Sequence, residues 1–395
     1  MFTKSKIPAA SVQKSHDHSS LLALLKFQEN VELPAYGGRS IDDFLYERYL
    51  NGSTGLIRNI YYAVKPGLPR FVQLSLRRMY ASSRSHEKFP RWPIEPVVVE
   101  TVKSYLHSVV ESLEGKTVHH ISYWPNKKKF AFCITHDVEW DDGLRRAHQI
   151  AAIEREYGFS SSWNIVPERY PIDWKIVDRL RQEGSEIGVH GFSHDGKLFQ
   201  SKKIFTKRVK KINEYAKQWG ASGFRSESTL RNVEWMPALE LEYDTSFPDT
   251  DPYEPQPGGC CTIWPYFIGH LVELPLTLPQ DHTVFEILGR SDIDYWKLKA
   301  NWIAENGGLV LINIHPDYMQ TTDRLKLYEA FLSYMKSMEG MWHTQPVNVA
   351  KWWRERASLR LSIKNDIPSI FGNPTTQVSV VKSMLEGGQL FQTII

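Results

Sequence analysis

The chain of 395 residues has only three cysteines, Cys133, Cys260 and Cys261, and no CxxC pair. An odd number with two adjacent excludes a disulfide framework and a cysteine-built zinc site, and fits a reducing compartment. Any metal must therefore be held by histidine and carboxylate. No stretch reaches the ~18 uncharged apolar residues of a membrane span. The longest apolar runs, such as GLVLINIH, have strand length. The opening MFTKSKIPAASVQKSHDHSS lacks the apolar core of a secretory leader, so the expected location is cytoplasmic. The net charge is only +3, with 24% charged residues, which argues against nucleic acid as a partner. No GxGxxG follows the first strand pattern, which speaks against dinucleotide binding. No internal repeat is evident.

What is present is a change of grammar along the chain. Residues 1–125 read as an N-terminal, mainly helical extension whose first ~20 polar residues are expected to be disordered. Within it, GLIRNIYYAVKPGLPRFVQLSLRRMYASSRSH carries Arg58, Lys65, Arg70, Arg77, Arg78 and Arg84 and no acid. Val72, Leu76 and Met79 share a helical face, so an amphipathic helix packed on the main domain is favoured over peripheral membrane contact. Residues 126–357 alternate strand and helix patterns. KKKFAFCITHD, FSSSWNIV, SEIGVH, SGFRS and GGLVLINIH read as strands. Phe205, Val209, Ile212, Ala216 and Trp219 form a helical stripe that stops at Gly220. Ile293, Trp296, Ala300 and Ile303 mark another helix, and so do Leu325, Tyr328, Leu332 and Met335. Such alternation implies an α/β fold with a parallel sheet covered by helices, closed into a barrel or open. Residues 358–395 are expected as a C-terminal tail, either a docking segment or disordered.

The chemistry-bearing residues gather at strand C-termini. Asp137 and Glu139 follow the first strand of the alternation, His190 and His194 the third, Arg225 the fourth and His315 the last. In a parallel barrel these ends share one rim, where active sites sit. Asp137 and Glu139 lie two apart, so in extended chain they face the same way. Two like charges side by side are costly unless a cation is near. Asp141 or Asp142 is better explained as a cap of the next helix. His190 and His194 in an HxxxH spacing, taken as one helical turn, can reach one ion. With one carboxylate they form the donor set of a catalytic divalent metal, Zn²⁺ first, with Co²⁺, Ni²⁺ or Fe²⁺ accepted by the same ligands. The second carboxylate is then free as a general base. Residues 244–282 break the alternation with a long Pro-, Gly- and Asp-rich loop. Asp249, Asp251 and Trp264 in it are candidate substrate-binding residues, with a loop anchor as the other reading of Trp264. Asp281 and His282 either line the rim or cap the following helix.

From about Lys129 to Trp353 the sequence resembles the polysaccharide deacetylase family, carbohydrate esterases that remove acetyl groups from glycans. The resemblance is carried by THDVE, by His190-Gly-Phe-Ser-His194, by Arg225 in GFRSEST and by His315 in NIHPDY. It implies a distorted (β/α)7 barrel. It further implies Asp137 as general base, Glu139, His190 and His194 as metal ligands, Arg225 as the group orienting Asp137, and His315 as general acid. The implied partner is an acetylated saccharide, free, lipid-linked or nucleotide-linked. Glu139 stands where the family usually has Asp, and Glu227 where it usually has Pro. Two other functions stay open on the same fold: hydrolysis of a cyclic imide or ureide, and saccharide binding without catalysis.

Overall fold

The computed structural model describes residues 19–29, 31, 33–34, 38–50, 78, 89–113 and 117–395. The basic stretch between Leu56 and His86, apart from Arg78, and the first 18 residues lie outside the described residues. In chain order the helices are α1 (Ser19–Leu25), α2 (Asp42–Leu45), α3 (Val97–Ser112), α4 (Asp141–Glu156), α5 (Trp174–Gln182), α6 (Lys202–Trp219), α7 (Asp294–Glu305), α8 (Thr322–Ser337) and α9 (Pro346–Ser358). The strands are β1 (Val118–Ile121), β2 (Phe130–Val138), β3 (Ser161–Ile165), β4 (Glu186–His190), β5 (Gly223–Arg225), β6 (Tyr243–Asp244), β7 (Tyr266–Ile268), β8 (Leu271–Glu273), β9 (Leu309–Ile314), β10 (Met341–His343), β11 (Arg360–Lys364), β12 (Ile367–Phe371), β13 (Val380–Glu386) and β14 (Gln389–Ile394).

β9, β2, β3, β4, β5, β6 and β8 lie side by side, each parallel to its neighbour. β10 joins the start of β2, and β7 runs antiparallel to β8. β2 and β9 are buried along their whole length, which is why both read as unbroken apolar runs rather than alternating ones. Past β8 the chain returns to β9. The Leu278 amide donates to the Leu311 carbonyl at 3.0 Å, and Thr277 Oγ1 accepts from the Leu311 amide at 2.9 Å. The fold is therefore α/β with a curled parallel sheet whose seam is bridged by irregular backbone, the distorted barrel expected.

α6 shows how local sequence sets an element. Ser201 caps it by accepting from the Ile204 amide, and Gly220 ends it at a left-handed φ of 61°. Its buried stripe is Phe205, Val209, Ile212, Ala216 and Trp219. Each large apolar side chain of the stripe contributes roughly 1.5–3 kcal/mol by leaving water.

Two expectations change. Residues 358–395 are folded, not a loose tail. β11 and β12 make one hairpin, β13 and β14 another, and β13 also pairs with β1. The turns explain this: Asn365 and Asp366 take φ of 51° and 60°, Gly387 and Gly388 take 57° and 79°. Paired positive φ values match the twist of a tight hairpin. The segment 244–282, read as a long loop with candidate substrate-binding residues, is largely buried. Arg356 on α9 is buried and donates to the Leu24, Ile121 and Ser122 carbonyls, tying α1 and β1 to the barrel.

Candidate active site

Strand register brings the candidates together. Asp137 is paired with Asn164 across β2–β3, and His190 with Arg225 across β4–β5. His315 directly follows β9, whose Ile314 is paired with His136. A cavity of about 40 Å³ opens at this rim, with Asp137, Glu139, His190 and His315 in its wall. That volume accommodates a few waters.

Asp137 is buried, yet its carboxylate is fully engaged. Oδ1 accepts from Asn164 Nδ2 at 3.0 Å and from the Arg225 guanidinium at 3.4 Å, and Oδ2 accepts from Asn313 Nδ2 at 2.8 Å. Burial alone would raise its pKa, but the nearby His190, Arg225 and His315 charges outweigh it and hold the carboxyl well below the usual range. Arg225 is itself pinned by the Thr245 carbonyl at 3.1 Å and Thr135 Oγ1 at 2.9 Å. His136, next in the strand, turns the other way, stacks on Trp163 and meets Glu154 at 2.7 Å.

Glu139, His190 and His194 each offer a ligand atom, all within 4.8 Å of one another. His190 Nδ1 faces the Arg225 carbonyl at 3.1 Å, which leaves Nε2 as the free donor atom. That Nε2 is buried with no hydrogen-bond partner. Burial pushes the His190 pKa down to about 4, so the imidazole is neutral at pH 7, as a ligand must be. His194 Nε2 lies 3.0 Å from Glu139 Oε1, so the longer Glu side chain reaches the site. An orphaned imidazole nitrogen beside a second imidazole and a carboxylate fits a divalent ion. His190 and His194 do not share a helical turn, however. β4 ends at His190, and the chain leaves through Gly191 at φ 59° and His194 at φ 54°.

His315 is held by Asp281. Nδ1 meets Asp281 Oδ1 at 2.6 Å, and the His315 amide donates to Oδ2 at 2.8 Å. Burial would lower the His315 pKa, but Asp281, Glu139 and Asp137 raise it to about 10. Its Nε2 lies 3.9 Å from Asp137 Oδ2 and 4.0 Å from Glu139 Oε1. Asp281 also accepts from the His282 amide at 2.8 Å, and His282 lines the cavity, so both readings of this pair hold.

The other loop candidates do not reach the cavity. Asp249 is buried against Lys299 Nζ at 2.7 Å. Asp251 is buried and accepts from the Tyr253 amide at 2.7 Å. Trp264 is buried, and its indole N–H donates to the Gly307 carbonyl at 2.9 Å, a loop anchor. Glu227 stays away from the Arg225 bonds and accepts from the Leu198 amide at 3.5 Å. Neither Asp141 nor Asp142 caps α4 by a side-chain bond. Asp317 does the work instead, accepting from the Glu139 amide at 2.9 Å and the Gly143 amide at 3.2 Å. Sequence reading missed Asn164, Asn313, Asp317 and Gln280, a residue of the cavity wall that accepts from Asn313 Nδ2 at 3.0 Å. The available signal was a lone amide inside an apolar strand, in SSWNI and LVLINI.

No family model matches the sequence, and no curated protein matches it. The chain is similar in structure to polysaccharide deacetylases. A Mycobacterium smegmatis protein described as a polysaccharide deacetylase is 18% identical, with TM-score 0.48, covering 58% of this chain and 92% of the other. One from Pseudomonas aeruginosa PAO1, described likewise, is 13% identical, with TM-score 0.48, over 59% and 93%. Puue allantoinase is 14% identical, with TM-score 0.48, over 59% and 92%. None of the described helices is long and apolar enough to cross a membrane.

Proposed function

We propose that the chain is a metal-dependent hydrolase that removes an acetyl group from an amino sugar in a glycan or glycan precursor. The observation that carries this reading is convergence. Three ligand atoms, from Glu139, His190 and His194, lie within 4.8 Å of one another, and two of those residues, Glu139 and His190, share a cavity wall with a second carboxylate, Asp137, and with a cationic imidazole, His315. A pure binder needs no spare base beside the ligands.

Glu139, His190 and His194 would hold the ion, Zn²⁺ first among divalent metals. Held there, it supplies Lewis acidity to the acyl carbonyl and to water. Asp137 accepts the proton of the attacking water. Asn164, Asn313 and Arg225 fix its orientation through the bonds above. His315 carries a proton on Nε2, with Nδ1 committed to Asp281, and passes it to the leaving nitrogen. Hydrolysis breaks the C–N bond, adds the water oxygen to the acyl carbon and releases acetate and an amine.

The same ligands, base and acid also serve a second reading, hydrolysis of a cyclic ureide, whose C–N bond lies within a ring. The test is acetate release from acetylated amino sugars, free, nucleotide-linked and lipid-linked, after chelation and add-back of Zn²⁺ or Co²⁺. Metal-restored acetate release supports the first reading. Turnover of a ureide with no acetate from any sugar replaces it with the second.

A further inference from the structure

The turn after β5 carries a feature that the acid, base and ligands leave unused. Ser226, Ser228 and Thr229 all line the cavity. Thr229 is only 2% exposed, yet its Oγ1 has no hydrogen-bond partner. A buried hydroxyl without a partner is costly, so its retention calls for a reason. Ser228 and Thr229 also take left-handed φ values of 51° and 48°. For a β-branched residue this is a true outlier, which persists only where the surroundings enforce it.

They do enforce it. The Ser226 amide donates to Ser246 Oγ at 2.8 Å, and Ser226 Oγ donates to the Leu230 carbonyl. Arg231 donates to the Thr229 carbonyl at 2.9 Å and is itself paired with Glu47 at 2.8 Å. The strained turn is clamped from both ends at the cavity wall.

We propose that Ser228 and Thr229 form a hydroxyl shelf that hydrogen-bonds the substrate beside the metal ligands, with Thr229 Oγ1 the principal contact. Among the described residues no lysine or arginine lines the cavity, whereas Asp137, Glu139 and Glu254 do. The group held on the shelf is an uncharged hydroxyl or acylamido group of the saccharide. This rests on the deacetylase reading for the choice of saccharide, but not for the role of the hydroxyl.

The test uses the full chain loaded with Zn²⁺ and an N-acetylglucosamine tetramer as probe. Thr229→Val removes the hydroxyl and keeps the branched shape, while Thr229→Ser keeps the hydroxyl. Binding is read by calorimetry, turnover by acetate release, and stability by thermal melting. Thr229→Val is expected to weaken binding and lower kcat/KM about tenfold, with Thr229→Ser close to native. Its melting temperature should not fall, because a hydroxyl without a partner is lost. Equal binding and turnover in Thr229→Val overturn the shelf, as does a drop in stability with KM unchanged. Binding weakened by Thr229→Val without acetate release from the native protein sinks the deacetylase reading and keeps the shelf. A native protein that binds no tetramer overturns the saccharide shelf.

Discussion

Replacing Asp281 by Asn tests the acid–base assignment at its most sensitive point. Asp281 gives His315 two bonds, to Nδ1 at 2.6 Å and to the amide at 2.8 Å, and both partners are buried. Its charge is the leading reason that His315 titrates near pH 10 rather than 6.5. Asparagine keeps the size and one acceptor but removes the charge. It also turns an amide N–H toward Nδ1, which favours the wrong tautomer. The sign follows directly. The imidazolium is lost as pH rises through its pKa, so lowering that pKa trims the alkaline side of the activity profile. At pH 8 a group of pKa about 10 is about 99% protonated, whereas one of 6.5 is about 3% protonated. The His315 midpoint, read by NMR of the metal-free protein, is expected to fall below about 9 in Asp281→Asn. Turnover of the metal-loaded protein should fall by roughly 10²–10⁴-fold, the usual worth of a positioned acid. A midpoint unchanged from native would refute the claim that Asp281 charges His315.

Asp137→Asn should retain the metal and lose turnover by a similar factor, whereas His194→Ala should lose both. Metal content by elemental analysis beside acetate release separates them, and native values in both variants would remove the assignment. Gly188→Ala would place a Cβ 2.2 Å from Asn164 Oδ1. Asn164 is the donor to Asp137, so the variant should lose roughly 1–3 kcal/mol in a denaturant melt and at least tenfold in turnover. Native activity there would show that Asn164 does not matter.

The barrel was legible because its strands and helices carry different periods. β2 and β9 read as buried strands from their apolar runs, and α6 from its stripe and terminal Gly220. Convergence of the site was legible for the same reason, since parallel strands put their C-terminal ends on one rim. The turn at His190 and His194 was not, because HxxxH has the same spacing whether the chain is helical or folded back through Gly191. Trp264 was equally opaque: an aromatic beside Pro265 and Tyr266 looks alike whether it stacks on a sugar or anchors a seam. The C-terminal hairpins were signalled, by Asn365-Asp366 and Gly387-Gly388 between apolar runs, but β13 finds its partner in β1, more than 250 residues away. Pairing over that distance leaves no local mark.

Asp137, Glu139 and Glu254 line the cavity and Asp281 backs it, against Arg225 and His315. Carboxylates gathered at one buried rim raise the pKa of an imidazole among them. Asp281, Glu139 and Asp137 all act on His315 in this way. A divalent ion on Glu139 would cancel part of that field, so loading the protein should lower the His315 midpoint from about 10 toward neutrality. A general acid is most effective when its pKa lies near the working pH, so the ion would tune the acid as well as activate the carbonyl. Comparing the His315 titration in chelated and Zn²⁺-loaded protein measures this directly. A fall of at least about one pH unit is expected, and an unmoved midpoint at full Zn²⁺ occupancy would mean that the ion sits elsewhere.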